Sequence, residues 1–424
     1  MRSPLLALAL VLAASTPFSR AQTSTGAAPL TLVEALRLAE SHPSVLARQA
    51  QLAAAEGNRR ESASLLFKNP EVGLDRTRRT GASPDSGANE WGASIAHPFE
   101  TGGQHARRRE AASASLQALA AEIDDGRRQA RADAALRFHA VLAAQRRVLI
   151  EQRSVDLFDG TSQAIAKRRA AGEDTRLDAN VALIEVERAR NALAVAKEQL
   201  LDARVDLASA LQLPPSAVPE VVGDLVMPEV GALPYAADQL LASARNLPKQ
   251  RALLAREASA KSRLGVEMGN RYPDVTVGLR IGRDGPTSGR ERVTTLSLSV
   301  PLPLFQRNDA AIGQALSDAN LAGIELSSAT RDLQAQIRRL WNRLDSQRQR
   351  LQRLRQSMVA AALDNEQLAV KSRQAGQIGL LDQLLVNRQA LDAERDLNEA
   401  LADFHSTRIE LENAAGWSQE GTAQ

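Results

Sequence analysis

The chain of 424 residues is 44% apolar and 24% charged, the balance of a folded protein, yet only 3% of it is aromatic. Its apolar positions are filled mainly by Ala and Leu, so closely packed long helices with small knobs are expected rather than a thick core. A net charge of +3 from 53 basic and 50 acidic side chains gives no general attraction to nucleic acid, and the absence of cysteine excludes disulfides, thiolate metal sites, cysteine nucleophiles and a lipid-bearing N-terminal cysteine.

The N-terminal stretch MRSPLLALALVLAASTPFSRAQ has Arg2, an apolar run from Leu5 to Ala14, and small residues Ser19 and Ala21 before Gln22. It reads as a secretory signal peptide over 1–21. The run is too short to span a bilayer, and no later stretch approaches the ~20 apolar residues of a membrane helix, so any crossing must use strands.

The rest of the chain is one unit written twice at a shift of about 204 residues. NPEVGL at 69 matches YPDVTVGL at 272, and KRRAAGEDTRLD at 167 matches KSRQAGQIGLLD at 371. The first repeat covers 22–213, a Pro-rich connector 214–235, the second repeat 236–416 and a tail 417–424.

Each repeat opens with a helical stretch broken by Pro43 or Pro248. Two short alternating runs come next, forming β-hairpins over 70–97 and 273–300 with polar loops at GASPDSGAN and DGPTSG. In VTVGLRI, Val275, Val277, Leu279 and Ile281 share one strand face and Thr276, Gly278 and Arg280 the other. Proline-free helices are then expected over 104–170 and 306–374, each on the order of 100 Å long at ~1.5 Å per residue. Leu333, Ile337, Leu340, Leu344, Leu351, Leu354 and Met358 form a coiled-coil seam on the second. After tips at 171–176 and 375–380, return helices over 177–212 and 381–415 alternate large and small apolar residues, from Val186 to Ala210 and from Ala390 to Ala414. The expected class is mainly α, an antiparallel coiled-coil α-barrel with four strands per protomer.

Four strands cannot close a barrel, and an open edge is not tolerated in lipid. Three protomers supply twelve strands, an allowed number for an outer-membrane barrel, with the helices continuing as a tube below.

The element order, the repeat, the NPEV and YPDV strand openings, the PLPLF strand exit and the paired tips resemble the TolC-like outer-membrane efflux factors. HPFETGGQ, the short length and the missing lipid cysteine resemble the cation-efflux (CzcC-like) branch. This resemblance implies a homotrimeric channel in the outer membrane with a long periplasmic portion. Such channels dock on a periplasmic adaptor protein and an inner-membrane RND pump, and conduct substrates passively, here divalent heavy-metal cations.

Lys167, Arg169, Lys371 and Arg373 fall in the last turns of the long helices, Gly172 and Gly376 suit left-handed C-terminal caps, and Asp178 and Asp382 stand near the positive ends of the return helices. The resemblance adds that these tips, with Leu381, form the adaptor-docking surface and the closed entrance. Asp382 matches an acidic gate position of the family. Leu385 stands where a second acidic residue would come, so a single, weaker carboxylate ring is implied. Phe67, Phe99, Tyr272 and Phe305 at strand–helix junctions suit an interfacial girdle, with Trp91 beginning a strand near the opposite interface.

None of the five histidines, His42, His97, His105, His139 and His405, is spaced i+3 or i+4 from another, so no helical metal clamp is written. Gly102 and Gly103 between His97 and His105 read as a strand-to-helix joint. No nucleophile elbow or phosphate loop occurs in a fitting context, so neither an enzyme nor a cofactor is expected. The same channel serving drug or solvent efflux, or type I secretion, stays open, as does, more remotely, a coiled-coil adaptor or structural protein.

Overall fold

The computed structural model of the protein describes residues 29–80, 88–214, 216–229, 231–285 and 289–417. The segment expected to be a signal peptide, much of both hairpin loops and most of the tail lie outside the described residues.

Helices α1 (Leu32–Ala39), α2 (Pro43–Ala50) and α3 (Leu52–Ser62) open the first repeat. Pro43 stands at the start of α2, where its missing N–H is not needed. Strands β1 (Glu71–Arg79) and β2 (Ala88–Phe99) come next, then α4 (Gln104–Ala170) and the return helix α5 (Arg176–Ala210). The second repeat has α6 (Ala237–Ala244), α7 (Pro248–Gly269), β3 (Val275–Asp284) and β4 (Glu291–Ser299). The two hairpins join as one antiparallel sheet in the order β1-β2-β3-β4, leaving β1 and β4 as its edges.

The second long helix departs from the continuous 306–374 expectation. It runs as α8 (Asp309–Arg353), a π-helical segment (Leu354–Val359) and α9 (Ala360–Gln374), before α10 (Leu380–Ala415) returns. A π turn widens the backbone and rotates the residues beyond it relative to the seam. Before this segment Ile337, Leu340, Leu344 and Leu351 are buried as the seam predicts, whereas Met358, inside it, stands exposed. On α10 every seam position from Ala390 to Ala414 is buried, and on α5 Leu200 and Ala203 alone are partly open.

The two repeats join helix to strand in matching ways. Gly103 before α4 and Asn308 before α8 both adopt the left-handed conformation, at φ +74° and +61°. Asn308 Nδ2 donates to the Glu267 carbonyl at 2.9 Å, and Gln104 Nε2 to the Gly269 carbonyl at 3.2 Å. Gly102 lies against the Gly269 carbonyl so closely that a Cβ would meet it at 2.3 Å.

A belt wraps the helices midway. Leu30 N–H donates to the Glu220 carbonyl at 2.6 Å, tying the N-terminal segment to the connector in a short parallel bridge. Val221, Leu225, Tyr235 and Leu240 are buried there against α4, α8 and α10.

Candidate functional site

The tips are built by cap chemistry. At the end of α4 the Gly172 N–H donates to the Arg169 carbonyl at 3.0 Å and the Glu173 N–H to the Arg168 carbonyl at 2.9 Å. At the end of α9 Gly376 donates to Arg373 at 3.1 Å and Gln377 to Ser372 at 2.8 Å. Gly172 (φ +82°) and Gly376 (φ +72°) take the left-handed conformation that such caps require. Lys167, Arg169 and Lys371 are exposed around them, as are Leu177 and Leu381 in the first turns of the return helices.

The return helices start unequally. The Asp178 N–H donates to Thr175 Oγ1 at 3.1 Å and the Thr175 N–H to Asp178 Oδ2 at 3.0 Å, a complete capping box. The Thr175 hydroxyl and N–H hold the Asp178 carboxyl below its usual range, against slight burial and with help from Arg373. At the second tip only the Gly379 N–H donates to Asp382 Oδ2, at 3.1 Å, because Gly379 has no hydroxyl to answer.

A residue that sequence reading did not single out connects the two tips. Asp174, with its side chain 6% exposed, accepts from Arg168 Nε at 3.0 Å and from Arg373 Nη2 at 3.0 Å. Arg373 also reaches the Ile378 carbonyl at 3.3 Å, so its guanidinium serves its own protomer's tip pair.

More ion pairs rise along the same seam. Glu185 on α5 takes Arg388 of α10, Arg153 of α4 takes both Glu366 and Glu394, and Glu151 takes Arg147 and Arg395. Burial opposes the charge on Arg153, but its two carboxylates outweigh that and raise its pKa. Asn387, fully buried between these levels, has no hydrogen-bond partner for either side-chain polar atom among the described residues.

His139 and His405, far apart in sequence, meet as stacked rings with centroids 5.1 Å apart. His405 Nε2–H donates to the Val226 carbonyl at 2.9 Å, and burial, then the neighbouring His139, pushes its pKa down to about 4. Parallel rings do not converge on a metal ion, and among the described residues no group of three or more His, Asp or Glu is placed to hold one.

In the sheet, pairing separates two faces. One carries Val72, Leu74, Ile95, Val277, Leu279, Ile281, Leu296 and Leu298, and the other Asp75, Thr77, Ser94, Thr276, Arg280, Thr295 and Ser297. Arg280 crosses the strand between to pair with Asp75, and Gly92 leaves the space: a Cβ there would lie 2.7 Å from Arg280 Nη2 and 2.8 Å from Asp75 Oδ1.

Phe67, Phe99, Tyr272 and Phe305 are exposed around the base of the sheet, Phe67 beneath the Arg108 guanidinium at 3.5 Å. Phe99 meets His97 edge-on at 4.7 Å. The sequence reading has Trp91 beginning its strand, but β2 starts at Ala88, and pairing with Arg79 extends it past Trp91. Trp91 nonetheless lies toward the end of the sheet opposite the helices, on the apolar face. Among the described residues no helix is long and apolar enough to cross a membrane.

The sequence pattern of the outer membrane efflux protein family matches residues 35–212 and again 236–417, one match per repeat, and the chain belongs to that family. It is 29% identical over 417 residues to the cobalt-zinc-cadmium resistance protein CzcC of Cupriavidus metallidurans, covering 94% of each chain. Its fold is similar to that of the outer-membrane channel OprN, with TM-score 0.77 and 19% identity over 91% of this chain and 90% of that one. It is also similar to the outer membrane protein VceC of Vibrio cholerae, with TM-score 0.74 and 18% identity over 91% of this chain and 96% of that one. Members of the family are trimeric outer-membrane channels that work with an adaptor and an RND pump. The protein is thus an efflux channel of the outer membrane with a periplasmic helical barrel, and not an enzyme.

Proposed function

We propose that three copies of this chain form the exit duct of a tripartite RND-type system and that its cargo is divalent heavy-metal cations. The observation that carries the duct is the sheet with two open edges, β1 and β4, mounted on two helical hairpins. Only assembly satisfies those edges in lipid. The cargo reading is supported by the relative named for cobalt, zinc and cadmium resistance, which matches nearly the whole chain.

The tips are the docking surface for the periplasmic adaptor. Leu177 and Leu381 offer apolar contacts at equivalent offsets, flanked by Lys167, Arg169 and Lys371. Asp382 contributes one carboxylate per protomer to a cation-favouring entrance, with Leu385 exposed on the next turn. The basal aromatics and Trp91 mark the two membrane interfaces.

Deleting the gene and measuring tolerance tests the cargo. Lost tolerance to zinc, cobalt or cadmium is expected. Unchanged metal tolerance with greater sensitivity to dyes and detergents would replace metals with organic compounds. For the entrance, Asp382→Ala is expected to reduce cation selectivity in single-channel recordings, and unchanged selectivity would reject that role.

A further inference from the structure

We infer that the end of the sheet farthest from the helices binds the phosphate-bearing headgroups of the outer-leaflet lipid. Arg76 of β1, Trp91 of β2, Arg283 of β3 and Arg292 of β4 are direct neighbours in successive strand pairs, so they form one row across the sheet. The row lies on the apolar face, immediately beyond Leu74, Ala93 and Ile281. Arg78, paired with Asn89, stands one step further out on the same face.

All four arginines are exposed, and none makes an ion pair among the described residues. The carboxylates at this level point the other way: Glu90 pairs with Arg79, at 3.0 Å, on the polar face, where Asp284 and Glu291 oppose each other. The lipid side of this end therefore carries arginines with no carboxylate beside them, whereas on the lumen side Arg79 and Arg280 are paired with Glu90 and Asp75.

Like charges placed directly opposite, as Arg283 and Arg292 are, destabilise a strand pair unless an anion lies between them. Guanidinium groups bind phosphate oxygens in bidentate fashion and stack on aromatic faces, and Trp91 stands in the same row. The depth fits. From Arg292 to Ser299 the chain rises about 24 Å along β4, or about 17 Å along the membrane normal at a ~45° tilt. That reaches across most of a ~25 Å apolar band and puts the arginines at its outer rim, where lipid-facing charge costs about 0–1 kcal/mol.

This inference rests on the outer-membrane placement and is independent of the cargo. The test uses the purified full-length trimer and lipid A carrying both phosphates, with binding followed by native mass spectrometry. The variant R76Q/R283Q/R292Q is expected to weaken binding at least about tenfold, and R76K/R283K/R292K to stay within about threefold of the parent. R331Q/R338Q/R339Q, on the exposed side of α8, is the charge-matched control and is expected to change nothing. Equal binding by the glutamine variant, equal binding of dephosphorylated lipid A, or full displacement by inorganic phosphate at matched concentration would overturn the proposal. If the triple variant does not assemble, R283Q alone is read, with about threefold weakening expected and no change contradicting the proposal. Single-channel conductance of the same preparations reports whether the duct itself is intact.

Discussion

Asp174 in the first tip holds Arg373 from the second, at 3.0 Å, on a carboxylate that also takes Arg168. With both partners of the tip-to-tip pair largely shielded, removing the acid takes the carboxylate from Arg373 and leaves Arg168 only its pair with Glu173. Asp174→Asn is expected to cost on the order of 2 kcal/mol of local stability. Hydrogen exchange over residues 168–180 and 371–382 would then quicken about 30-fold, the factor that this energy corresponds to.

The cap glycines isolate a backbone effect. A Cβ at Gly172 or Gly376 would meet nothing within 4 Å, so replacement by Ala strains only the left-handed backbone. Each change is expected to cost about 1 kcal/mol, raising the rate of proteolytic nicking at its own tip about fivefold. A larger effect, or nicking at the other tip, would point to lost contacts that the geometry does not contain.

Glu151 lies with its side chain 1% exposed between Arg147 and Arg395. Glu151→Gln removes the buried carboxylate from both guanidinium groups, leaving Arg395 only its Asp392 pair, and is expected to lower stability by about 3 kcal/mol in denaturant unfolding. Glu151→Leu combined with Arg395→Met, which removes the acid and one of its partners together, is expected to recover much of that loss.

The His139–His405 stack gives the belt a pH dependence. His405 has its folded-state pKa pushed down to about 4, so the folded form resists protonation. Stability from this group is complete above the unfolded value of ~6.5, declines as pH falls from there, and stops declining near pH 4, a span of about 3 kcal/mol at most. His405→Gln keeps a donor for the Val226 carbonyl and is expected to flatten unfolding midpoints compared between pH 7.5 and 4.5.

Features carried by local spacing were legible in the chain itself. Alternating large and small residues from Ala390 to Ala414 marked a buried seam, and the recurrence of Gly172 as Gly376 marked two caps before any contact was known. What escaped was what the repeat does not conserve. Asp174 has Ile378 at its equivalent offset, and its partner Arg373 lies 199 residues away, so neither periodicity nor recurrence pointed to the pair. The π segment holds no Pro or Gly to announce it. Nothing in the alternation of β2 signals that Arg280 passes over Gly92 to reach Asp75. The smallness of Gly92 serves a pair formed by two other strands.

Single-channel conductance of the trimer in planar bilayers tests most directly whether the tips close the mouth of this duct. Asp174→Asn, which frees Arg373 from the first tip, is expected to shift the channel from a low-conductance state toward a stably wider one. Conductance identical to that of the parent, with hydrogen exchange confirming that the tips have loosened, would contradict the assignment of the tips as the entrance.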